Sequence, residues 1–121
     1  MTKMSRSRAD RFKGHDEFEG FKDNYHSDFW KYPNELEEHW YYLSGSEQKV
    51  LDFILRQTFG FRKSSDWISL SQFVNGVGEK NHGTGLSISQ VRRAITGLEE
   101  KGFIIVERHK NSTSKFFLTG K

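Results

Sequence analysis

Residues 87–102 read SISQVRRAITGLEEKG, and this stretch decides the fold. Ser87 with Gln90 three positions later has capping-box spacing, in which each side chain satisfies a backbone N–H at the start of a helix. Val91, Ala94, Ile95 and Leu98 then recur at i, i+3, i+4, i+7, one apolar stripe along a helix. Gly102 supplies the stop. With the stripe turned inward, Ser89, Gln90, Arg92, Arg93, Thr96 and Gly97 point outward. Gly97 costs about 1 kcal/mol relative to Ala in a helix interior. Close approach of the preceding helix or of a DNA backbone would justify it.

Downstream, FIIVERH (103–109) and SKFFLTG (114–120) are rich in β-formers and joined by the polar turn KNST, which predicts a hairpin. Upstream, two more capping boxes are spelled out. Ser44 with Glu47 opens a helix whose buried face is Val50, Leu51, Ile54, Leu55 and Thr58, with Gly60 as its expected stop. Ser69 with Gln72 opens a helix of at most two turns, preceded by a short strand at Trp67 and Ile68. Between that helix and residue 87 lies NGVGEKNHGTG, with four glycines in its eleven positions. It must be a loop, and it lacks the Gly-Lys-Ser/Thr ending of a phosphate-binding P-loop. The single proline, Pro33, suits the first turn of an earlier short helix, with Leu36, Trp40 and Leu43 expected to face inward.

The order is therefore helix, helix, short strand, helix, loop, helix, hairpin. It predicts an α+β domain, mainly α, of the winged helix-turn-helix kind: a three-helix core with a C-terminal β-hairpin wing. The domain is expected over residues 29–121. Residues 1–28 read as a charged tail without Leu, Ile or Val, in which Phe18, Phe21 and Tyr25, with Phe29, recur at roughly helical spacing.

Charge distribution points to a partner. The 121 residues carry a net +3 and a mean hydropathy of -0.78. Residues 1–13 sum to +4, residues 14–45 to -6, and residues 86–121 to +4. A basic C-terminal third is the footprint of a surface that meets phosphate. Arg can fork onto guanine, Gln can pair with adenine, and Ser or Thr can take phosphate. Ser89, Gln90, Arg92, Arg93 and Thr96 are thus candidates for the major groove. Ser87 caps the helix and exposes amides that favour a phosphate. Arg108, Lys110, Asn111 and Lys115 flank or form the hairpin tip and are candidates for the backbone. The alternative is a structural helix whose arginines pair with Glu99, Glu100 or Glu107.

Other classes find little support. Cysteine is absent, which removes disulfides and thiolate metal sites. The five histidines show no metal-ligand spacing, and no nucleophile elbow appears, so no enzyme, cofactor or metal is expected. The start, MTKMSRSRADRFKG, has no apolar stretch, and the aliphatic run 103–106 is too short to span a bilayer. A soluble intracellular protein without membrane contact is expected.

From Tyr32 to about Val106 the chain resembles the N-terminal domain of bacteriophage replication protein O. The resemblance rests on YPNELEEH, on LSGSEQKVLDFILRQTFGFRKSSDWISLSQF and on GLSISQVRRAITGLEEKGFI. It implies a winged-helix domain that binds repeats in double-stranded DNA at a phage replication origin, in the cytoplasm of a bacterial host, encoded by phage or prophage. Replisome or helicase-loading proteins are the further partners it suggests, and a second copy of the chain, as a homodimer, is another candidate partner. In that family a C-terminal region engages the helicase loader; these 121 residues end three positions after Leu118. A transcriptional regulator would use the same surface, and a replisome interaction module would use the aromatic tail and acidic residues 35–38.

Overall fold

The structure is a computed structural model that describes residues 18–21, 29–110 and 113–120. Most of the expected tail and Asn111 lie outside the described residues.

Ahead of the core, Asn34–Tyr42 form a 3-10 helix that follows Pro33. With three residues per turn, positions i and i+3 share a face and i+4 swings away. Leu36 is therefore buried, while His39 and Tyr42 follow it and approach the Phe103 ring at 5.7 and 6.5 Å. Trp40 is not inward as expected: at i+4 from Leu36 it is 46% exposed. The segment is tied down by Tyr32, whose hydroxyl donates to the Asp52 carboxylate at 2.6 Å.

The first α-helix, α1 (Gly45–Gln57), opens with the complete Ser44/Glu47 capping box and buries Val50, Leu51, Phe53, Ile54 and Leu55. Thr58 ends it, its hydroxyl donating to the Ile54 carbonyl at 2.8 Å. Gly60 is not the stop. It lies in a 3-10 turn, Phe59–Phe61, and the left-handed residue that reverses the chain is Arg62, at φ 60°. A Cβ at Gly60 would meet the end of the Arg56 side chain, whose guanidinium lies over the Phe61 ring at 4.7 Å.

Strand β1 (Ser65–Ile68) leads into α2 (Leu70–Asn75), capped reciprocally by Ser69 and Gln72. The glycine loop that follows is folded back on itself. Val77 pairs with Asn81, and at Gly76, with φ 96°, a Cβ would collide with the Asn81 carbonyl. Thr84 is buried and pins the loop, its hydroxyl donating to the Phe73 carbonyl at 2.9 Å.

Helix α3 (Ile88–Glu100) carries the third capping box and buries Val91, Ala94, Ile95 and Leu98, as the stripe predicts. At Gly102 a φ of 85° releases the chain into β2 (Ile104–Glu107) and then β3 (Ser114–Leu118). The three strands form one antiparallel sheet of order β1-β3-β2. Val106 and Asp66 both lie opposite Phe116, which is buried against Phe73 at 5.2 Å between ring centres.

The close approach at Gly97 is to α1, not to DNA. A Cβ at position 97 would strike the Glu47 carboxylate, which is largely buried between the two helices. Glu47 accepts the Ser44 N–H at 2.9 Å and the Lys101 ammonium at 2.6 Å. Burial alone would raise its pKa, but the bonds from Lys101 and Ser44 outweigh burial and hold it below the usual carboxylate range.

Candidate nucleic-acid interface

The outward face of α3 follows from its inward one. Because the stripe is fully committed to the core, Ser89, Arg92, Arg93 and Thr96 are left exposed. Ser87 accepts the Gln90 N–H at 3.2 Å, and the Ser87 N–H donates to Gln90 Oε1 at 2.9 Å. The carbonyl of the Gln90 side chain is thus engaged by the cap, which leaves its amide donors for a base or phosphate. Thr96 donates to the Arg92 carbonyl at 3.1 Å.

Arg92 and Arg93 enter no ion pair among the described residues. Of the three acids that the alternative reading offered them, Glu107 is bonded to His109 and Glu99 serves a different cation. Arg108, on the chain just after β2, donates to both oxygens of Glu99 at 2.6 and 2.9 Å. This forked pair lowers the Glu99 pKa and raises that of Arg108, in each case chiefly through the hydrogen bond itself.

Between α3, the start of α2 and the hairpin lies an open cleft of about 680 Å³. Arg92 and Thr96 line one wall and Arg108, Thr113 and Ser114 the other, over a floor that includes Ile95 and Phe116. Ser69 adds a hydroxyl at the end. The cleft therefore has two guanidinium groups, several hydroxyls and no carboxylate in its lining. The Arg92 guanidinium and these hydroxyls can contact an anion, while Arg108 is already held by Glu99 and the rest of the lining is apolar.

Sequence reasoning placed four hairpin residues on this surface, and the structure separates them. Arg108 lines the cleft but is held by Glu99. Lys110 is exposed at the tip. Lys115 faces away: it is opposite Trp67 and Glu107 on the sheet, one position from the inward Phe116. Asn111 lies outside the described residues. Ser69, Thr113 and Ser114 were missed because Ser69 read only as a cap and the other two as turn and strand. The run of small hydroxyl residues STS, at 112–114 and following a basic helix in sequence, was the available signal.

The family model of bacteriophage replication protein O matches residues 22–116, most of the chain and every residue that lines the cleft. The chain belongs to the bacteriophage replication protein O family. Membership places it among phage replication proteins. No curated protein and no solved structure matches the chain significantly. No helix among the described residues is long and apolar enough to cross a membrane. No group of three or more His, Cys, Asp or Glu among them is arranged to hold a metal ion.

Proposed function

We propose that this replication protein O family member is a winged-helix protein that binds double-stranded DNA at repeated sites of a phage replication origin. The observation that carries the reading is the pair Arg92 and Arg93, exposed and without an ion-pair partner among the described residues, on α3 beside an acid-free cleft. Helix α3 enters the major groove, with Arg92 and Arg93 on base edges or phosphates, and Ser89, Thr96 and the Gln90 amide alongside. One strand's backbone runs toward the cleft, where Ser69, Thr113 and Ser114 offer hydroxyls. Ser87 and the first amides of α3 favour a phosphate at the helix start. Lys110 at the hairpin tip meets the flanking backbone.

Nuclease footprinting on the DNA of the encoding phage tests this. Repeated protected sites within a replication gene, with affinity that falls steeply as salt rises, are expected. A single protected operator over a promoter would instead make the protein a transcriptional regulator with the same surface.

One observation favours an additional partner. Trp40 and Tyr41 are exposed beside exposed Glu35, Glu37 and Glu38, on a segment remote in sequence from α3. A replisome or helicase-loading protein would dock there, leaving the DNA surface free. Pull-down with the intact chain, repeated after Trp40→Ala and Tyr41→Ala, tests that assignment, and equal capture by both forms would exclude it.

A further inference from the structure

We propose that the outer face of the three-stranded sheet binds an unpaired DNA strand, by stacking bases on Trp67 and Phe117 and pairing phosphate with Lys115. This goes beyond the duplex reading and uses different residues. Strand alternation sends Phe116 into the core and its neighbours Lys115 and Phe117 outward. The register sets Trp67 opposite Lys115 and Ile105 opposite Phe117 on that same face. Trp67 is 46% exposed and Ile105 57% exposed, so the face is open and apolar.

A cation stands at its centre. The Lys115 ammonium lies 5.6 Å from the Trp67 ring centre and 5.2 Å from that of Phe117. The His109 ring is 5.0 Å from Trp67 and extends the aromatic surface toward the hairpin tip. Glu107, the acid on this face, is already engaged by His109 at 2.8 Å.

This combination selects its occupant. Lys115 joins no ion pair among the described residues, and a wholly apolar partner would bury both its charge and that of Glu107 away from water, which is strongly unfavourable. An unpaired strand alternates a flat apolar base with an anionic phosphate, and so supplies both a stacking partner and a counter-ion. Bases stacked within a duplex cannot reach the rings, so the site discriminates by strandedness. An initiator with such a face holds one strand once the duplex beside it opens.

The test is fluorescence anisotropy of the full chain with three labelled probes: a short oligothymidylate, an abasic oligomer of equal length, and a duplex. Tighter binding of the oligothymidylate than of the abasic oligomer is expected. Trp67→Leu, which keeps apolar cover but removes the ring, should weaken oligothymidylate binding about tenfold and leave duplex affinity unchanged. Lys115→Ala should weaken both single-stranded probes. Should Trp67→Leu lower the melting temperature, Phe117→Leu provides the same comparison. Equal affinity for the base-bearing and abasic probes, or unaltered oligothymidylate binding by the ring-removing variants, overturns the proposal. Loss of duplex binding alone would refute the duplex reading and leave this one standing.

Discussion

Arg108 grips Glu99 with both arms of its guanidinium, at 2.6 and 2.9 Å, and so ties the hairpin to the last turn of α3. The pair does two things at once. It fixes the angle between the two walls of the cleft, and it withholds one cation from any DNA lying there. The Arg108 side chain is 57% exposed and that of Glu99 27%, so solvent screening limits what this forked pair adds to stability.

Releasing Arg108 should therefore strengthen DNA binding more than it weakens the fold. Glu99→Gln is expected to raise duplex affinity several-fold at low salt. It should also steepen the dependence of log K on log salt by about 0.9 for one more phosphate neutralised. Titrations at several salt concentrations check this; an identical slope would mean that Arg108 stays off the phosphates.

Gly97→Ala should destabilise, against the ordinary gain of about 1 kcal/mol for replacing a helical glycine. The new methyl displaces the Glu47 carboxylate from the Ser44 N–H and from Lys101. A net loss of about 1 kcal/mol or more in urea denaturation is expected, since the cap alone is worth about that much. In a Glu47→Ala background the obstacle is gone, and the same change should stabilise by up to about 1 kcal/mol. Additive effects of the two changes would show that Glu47 is not what Gly97 accommodates.

Acid stability should divide between opposing carboxylates. Glu47 and Glu99 have lowered pKa values, so their contribution is complete above the ordinary carboxylate range and is lost as pH falls through the lowered values. Asp52 is raised, chiefly by burial, with the Tyr32 hydroxyl only partly offsetting it. Its contribution is present below the unfolded pKa of about 3.9 and is lost as pH rises through the higher folded value. Asp52→Asn should thus gain in melting temperature over the wild type as pH rises from acid to neutral. Glu47→Gln should flatten the acid limb. Parallel melting curves across pH for Asp52→Asn and wild type would contradict the assignment.

The sequence made local structure readable where a single side chain dictates it. Ser44, Ser69 and Ser87 each announce a helix start, and all three reciprocal caps form. The α3 stripe is equally plain because four apolar residues at helical spacing admit one inward face. What stayed hidden depends on chain segments far apart. The pairing of β1 with β3 joins residues some fifty positions apart and has no local signature. The Glu47–Lys101 and Arg108–Glu99 pairs depend on how α1, α3 and the hairpin pack, so charge spacing alone could not assign them. Trp40 was misplaced because its spacing from Leu36 fits an α-helix, whereas the segment winds with three residues per turn. At the candidate site, the arginines of α3 were legible from the stripe opposite them. The outward turn of Lys115 was not, since it needs the strand register.

The measurement that bears most directly on the duplex-binding account compares wild type with Arg92→Ala plus Arg93→Ala on duplex DNA carrying the origin repeats, at moderate salt. Neither side chain packs in the core or joins an ion pair among the described residues, so the melting temperature should not fall. Affinity should drop several-fold or more, with a salt slope shallower by about 0.9 for each phosphate no longer neutralised. Unchanged affinity in a fully folded double variant would contradict the placement of α3 in the groove.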